Sequence, residues 1–137
     1  MPGIVLILNF EFLITVSYRW LLWLPVLAYM ALIFGLSSLS SPPSGPAALG
    51  DKGLHAILYS GLGALVVRAL AGGWGRGVSL GTALLAVVIC ALYGVSDELH
   101  QYFVPPRQVE ALDVVADAIG AAIAAGSLYA YTIMKRS

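Results

Sequence analysis

Between Tyr93 and Asp117 the chain reads YGVSDELHQYFVPPRQVEALDVVAD, and five of its seven acidic residues fall in that stretch: Asp97, Glu98, Glu110, Asp113 and Asp117. His100, one of two histidines, and Arg107 stand among them. A second, shorter group comes earlier, with Asp51, Lys52 and His55. Carboxylates beside imidazoles are suited to general acid–base work or to a divalent cation. Ionised carboxylates also accept hydrogen bonds from hydroxyls, whereas lysine and arginine suit phosphate. On helices the spacings converge. Lys52, His55 and Tyr59 fall at i, i+3 and i+7, as do Glu110, Asp113 and Asp117, while Tyr93, Asp97 and either His100 or Gln101 share a face.

The rest of the chain says where such residues must sit. Of 137 residues, 60% are hydrophobic and 10% charged, well under the roughly 25% charged of soluble domains, so the chain belongs to the membrane class. Its length allows one small bundle and no second domain. A net charge of zero gives no footprint for nucleic acid. The single cysteine, Cys90, lies in an apolar run, which excludes a disulfide within the chain and thiolate metal clusters. No GxSxG or SxxK surrounds Ser37, Ser38 or Ser96, and HExxH is absent. No strands are expected.

Four transmembrane helices account for residues 18–137. The first runs from Trp20 to Leu36 behind Tyr18, Arg19, Trp20 and Trp23, an aromatic and basic girdle, with Pro25 near its start. SSLSSPPSGP then forms a turn-rich loop. The second runs from about Asp51, a candidate N-cap, to Ala71, and its Gly61 and Gly63 leave room for a neighbouring backbone. Gly77 to Ser96 gives the third, with continuation into DELHQ before Pro105 and Pro106 end it. The fourth runs from Glu110 to Met134, with a packing stripe at Gly120, Ala121, Ala124 and Ala125. Residues 1–17 form a separate apolar segment, broken by Asn9 and Glu11, for which a membrane-surface role, a poor span and residues upstream of the true start all stand open.

Basic residues orient the bundle. With both termini cytoplasmic, Arg19, Arg68, Arg76, Lys135 and Arg136 lie inside and only Lys52 and Arg107 outside. The acidic ends of three helices then share the outer face. Six acids there, Asp51, Asp97, Glu98, Glu110, Asp113 and Asp117, oppose Lys52 and Arg107, a surplus of four negative charges. Pairing, protonation by crowding, or a divalent cation would each relieve it.

The segments LSS, DKGLHAILYSGLG and YGVSDELHQYFVPPRQVEALDVVADAIGA resemble the VanZ-like family of bacterial membrane proteins. The resemblance spans roughly residues 20–128 in the family's order. It implies that Asp51, Lys52, His55, Tyr59, Asp97, Glu98, His100, Gln101, Arg107 and Asp113 are signature positions, with Asp117 at a polar one. One departure stands out: the family's VPGR is Val104-Pro105-Pro106-Arg107 here. The resemblance also implies a bacterial cytoplasmic membrane and a link to resistance against glycopeptide antibiotics.

The expected protein is therefore an all-α, four-helix integral membrane bundle with both termini cytoplasmic and a polar site at the outer face. That site is expected to bind, and in one version to modify or move, a polar lipid or lipid-linked envelope precursor. Two rivals stand beside it. One is a metal-assisted or acid–base hydrolase drawing on His55, Asp97, Glu98, His100, Asp113 or Asp117. The other is a structural subunit whose polar groups fix helix packing.

Overall fold

The computed structural model describes residues 18–41, 46 and 49–137. The segment 1–17 and residues 42–45 and 47–48 of the loop after α1 lie outside them. Four α-helices follow in order: α1 (Leu24–Ser37), α2 (Gly50–Ala71), α3 (Leu80–Gln101) and α4 (Ala111–Arg136). Each belongs to a span of 20 to 26 residues long and apolar enough to cross a membrane, the first beginning at Tyr18. At 1.5 Å per residue, 22 residues reach about 33 Å, a little more than the hydrocarbon core. There is no strand among the described residues.

Local chemistry explains most boundaries. Pro25 sits in the first turn of α1, where its missing N–H costs nothing. Helix α2 ends on Gly72, whose φ of 86° is left-handed, with Gly72 and Gly73 N–H groups closing onto the Ala69 and Arg68 carbonyls. Ser79 caps α3 by accepting from the Thr82 N–H at 3.0 Å, which sets its start three residues later than the apolar run suggests. The helix continues through DELHQ to Gln101. One expectation fails. Asp51 is not the N-cap of α2; the chain enters through Leu49 and Gly50, with Gly50 at a φ of 61°, and Asp51 already lies in the first turn without a capping bond.

The packing departs from that of a water-soluble bundle, although Leu22, Val26, Ile33, Leu62, Val66 and Val67 still form part of the core. Leu27, Leu84, Leu92, Leu112, Ile119 and Ile123 point outward, whereas Ala86, Cys90, Gly94, Ala121 and Ala125 are buried along with Asp97, Asp113 and Asp117. Hydrocarbon tails solvate leucine as well as a protein core does, so helices associate through small residues and internal hydrogen bonds. Helices α2 and α4 form the most intimate pair, α3 packs on α4, and α1 lies more lightly against α2 and α3. Two glycines make the α2–α4 approach. A Cβ at Gly63 would come to 2.9 Å from Ala121 Cα, and one at Gly120 would overlap the Ala56 carbonyl. Gly61, by contrast, faces the Tyr29 side chain rather than a backbone.

Gly120→Ala should therefore force α4 away from α2 and cost about 1–3 kcal/mol of stability. Gly35→Ala, where nothing lies within 4 Å, should be neutral or slightly stabilising. Thermal unfolding of the two variants in the same detergent checks the contrast; equal midpoints would contradict the close contact.

Candidate functional site

The up-and-down order puts the last turns of α1 and α3 and the first turns of α2 and α4 at one end of the bundle. Three polar assemblies meet there. The outermost is an ion pair: Lys52 Nζ reaches Glu110 Oε2 at 2.6 Å and Asp113 Oδ1 at 3.0 Å. The lysine holds the exposed Glu110 carboxyl below its ordinary range. A depressed carboxylate keeps its pair until pH falls through the lowered value, so this contact persists throughout the neutral range.

One turn deeper, His55 Nδ1 lies 2.9 Å from Asp117 Oδ1, and its Nε2 lies 3.9 Å from Asp113 Oδ2. An ionised Asp117 accepts the hydrogen that Nδ1 carries. Asp117 can come this close to α3 because position 94 is glycine, where a Cβ would lie 2.7 Å from Asp117 Oδ2. That oxygen is buried and has no hydrogen-bond partner among the described residues.

The third assembly is a chain. Ser37 Oγ donates to Asp97 Oδ1 at 2.6 Å, and Gln101 Nε2 donates to Asp97 Oδ2 at 3.2 Å. Arg107 then donates from Nη2 and Nε to Gln101 Oε1 at 2.6 and 3.1 Å. Arg107 thus faces a neutral amide and not a carboxylate. A cavity of about 230 Å³ opens over this chain, with Ser37, Asp51, His55, Tyr59, Asp97, Gln101 and Arg107 as its polar lining. Ile33, Leu36, Leu54, Ile57 and Leu58 complete the wall. The buried Tyr59 hydroxyl has no partner among the described residues.

The sequence candidates therefore divide. Asp51, His55, Tyr59, Asp97, Gln101 and Arg107 line the cavity, while Lys52, Asp113 and Asp117 stand behind it in the ion-pair layers. Glu98 is buried, with Oε2 accepting the Glu110 N–H at 3.0 Å, and so fastens the start of α4 to α3. Two candidates face elsewhere. The Tyr93 hydroxyl donates to the Met30 carbonyl at 2.6 Å, tying α3 to α1. His100 lies 2.9 Å from Ser38 Oγ and stacks on Phe34 with centroids 4.1 Å apart, because it points a full residue step away from Gln101 on the helix. The two histidines consequently do not converge on one group of carboxylates. Ser37 is the residue that sequence reasoning undervalued. The LSS segment puts it at the end of α1, and its bond to Asp97 in the last turn of α3 comes from tertiary packing that spacing along one helix does not reveal.

A set of donors for a cation is also present: Asp51, His55 and Asp113 offer ligand atoms within 4.8 Å of one another. Asp51 and His55 are one helical turn apart, and His55 Nε2 faces Asp113 Oδ2, the oxygen that Lys52 leaves free. Asp117 on the other imidazole nitrogen orients the ring, as carboxylates behind metal-binding histidines commonly do.

Asp97→Ala should leave the buried Gln101 Nε2 without its partner and Ser37 with only the Phe34 carbonyl, lowering stability by about 2 kcal/mol or more. Glu110→Gln, at the exposed pair, should change the unfolding midpoint little. Detergent unfolding curves for both variants give the comparison; equal losses would mean that the inner chain is no more tightly built than the outer pair.

No curated protein and no solved structure shows significant similarity to the chain. The family model described as VanZ/LLP1 matches residues 4–134, which covers α1 to α3, α4 as far as Met134 and the three polar assemblies. The chain belongs to the VanZ/LLP1 family.

Proposed function

We propose that this VanZ/LLP1 membrane protein binds the polar head group of a lipid or lipid-linked envelope precursor in the cavity between α1, α2 and α3. The observation that carries the reading is the pairing state of the cavity's polar groups. Most carboxylates at this end already have partners in Lys52, His55, Ser37 or Gln101, so their hydrogen-bonding capacity is largely met within the protein. What remains turned toward the cavity is mixed: the Arg107 guanidinium on a neutral amide, the Tyr59 hydroxyl without a partner, and the Asp51 carboxylate. Hydroxyls of a sugar or polyol match the carboxylates and Gln101, and a phosphate matches Arg107. The apolar wall of Ile33, Leu36, Ile57 and Leu58 suits the beginning of an acyl or prenyl chain.

A second reading has its own observation. The Asp51, His55 and Asp113 donors, backed by Asp117, suit a divalent cation, which would bridge phosphate to the protein and polarise it. Hydrolysis of a lipid-linked phosphate is the corresponding reaction class. Link to glycopeptide resistance, suggested by the family resemblance, would follow from either reading through altered envelope lipids. The polar end faces the outer surface under the positive-inside rule, with Arg68, Arg76, Lys135 and Arg136 at the cytoplasmic end.

Tyr59→Phe removes a hydroxyl that makes no hydrogen bond among the described residues, so it should leave stability unchanged or slightly raised while weakening head-group binding about fivefold or more. Binding of a lipid-linked sugar and of a simple phospholipid, measured with wild type, Tyr59→Phe and Arg107→Gln with and without EDTA, tests this. Unchanged binding in both variants would exclude the cavity, and binding lost to EDTA in the wild type would favour the cation reading. For orientation, cysteines at Gln108 and Gly75 in a Cys90→Ala background should react differently with an impermeant thiol reagent. Gln108→Cys should label from outside intact cells and Gly75→Cys should not; the reverse pattern would put the cavity on the cytoplasmic side.

A further inference from the structure

A larger cavity, about 440 Å³, lies at the opposite end of the bundle and is built from different chemistry. Its lining includes Arg68 from α2, Trp74 and Arg76 from the α2–α3 loop, and Tyr131, Lys135 and Arg136 from α4. Four cations line it and no carboxylate does among the described residues. The lining is organised rather than a loose basic fringe. Arg68 is half-buried, donates from Nη1 to the Leu22 carbonyl at 3.2 Å, and lies 5.9 Å from the centre of the Trp74 ring. Its Nε is buried without a hydrogen-bond partner among the described residues. The Arg136 guanidinium rests against Gly77, where a Cβ would overlap it. Thr132 Oγ1 accepts from the Val78 N–H at 3.1 Å, so the loop and the end of α4 are held together around the opening.

Four like charges around one cavity, with the half-buried Arg68 the least solvated of them, repel one another, and an anion between them relieves that repulsion. Guanidinium groups in this arrangement match phosphate oxygens, and aromatic rings such as Trp74 and Tyr131 sit at the level of lipid head groups. We infer that this cavity is a binding site for the phosphate of an anionic membrane lipid, separate from the polar cavity at the other end. A lipid, rather than free phosphate, suits a cavity whose rim carries exposed Trp74 and Tyr131 next to the apolar surface of Met134 and Ile133. The inference does not depend on the head-group reading of the other cavity.

Delipidated full-length protein in a neutral detergent, titrated with phosphatidylglycerol, phosphatidylcholine or inorganic phosphate and read by native mass spectrometry, tests it. Phosphatidylglycerol should bind about tenfold more tightly than phosphatidylcholine, and Arg68→Gln and Arg136→Gln should each reduce that affinity about fivefold. Arg19→Gln, which removes an exposed cation outside the lining, should change it less than about twofold. Arg136→Gln breaks no internal hydrogen bond recorded in the structure, so its effect is readable even where Arg68→Gln disturbs α2. Equal binding of the two lipids, an Arg19→Gln loss as large as those at Arg68 and Arg136, or displacement of the lipid by equimolar inorganic phosphate would each overturn the assignment.

Discussion

At Gly120 the backbone of α4 rests against the carbonyl of Ala56 on α2, and the polar end of the molecule depends on that contact. His55 is the residue before Ala56, and Asp117 lies one turn before Gly120. The closeness of two backbones therefore sets the distance between an imidazole and a carboxylate. A side chain at position 120 would separate the helices by more than a hydrogen bond tolerates, since N–H···O bonds weaken within a few tenths of an ångström of their optimum. Gly94 does the same service on α3, where the absence of a Cβ admits the Asp117 carboxyl. Glycines here act as spaces that polar groups occupy.

The carboxylates collected at this end play distinct parts. Glu110 belongs to an exposed pair of small energetic weight. Asp97 is buried and shared between a hydroxyl and an amide, so its removal exposes other groups as well as itself. Asp117 is the deepest, fully buried, and satisfied on one oxygen only by described residues. Along this gradient His55 meets the carboxylates of α4, whereas Asp97 holds Gln101 and Gln101 in turn holds Arg107.

Much of the architecture was legible because membrane spans are encoded redundantly. Length, lack of charge and aromatic flanks identify the same four segments, and the i, i+3, i+7 spacings put Lys52, His55 and Tyr59 or Glu110, Asp113 and Asp117 on shared faces. Periodicity along one helix could not say which residue of a neighbouring helix would answer. His100 and Gln101 are adjacent, equally polar and equally placed relative to Asp97; only the position of α1, with Phe34 and Ser38, separates them. The role of Ser37 was hidden for the same reason. Asp51 misled as a cap because Gly50 offers the chain a left-handed entry that most residues resist.

The membrane setting of this packing has a thermodynamic corollary. Because hydrocarbon, not water, meets the apolar side chains of separated helices, pulling them apart within a bilayer or micelle uncovers little apolar surface to water. Heat capacity rises on unfolding mainly through such exposure, so helix separation here carries a far smaller increment than unfolding of a soluble domain of equal length. The stability curve should accordingly be flat, with no cold-side descent in reach, and its steepness set by the enthalpy of close contacts and internal hydrogen bonds.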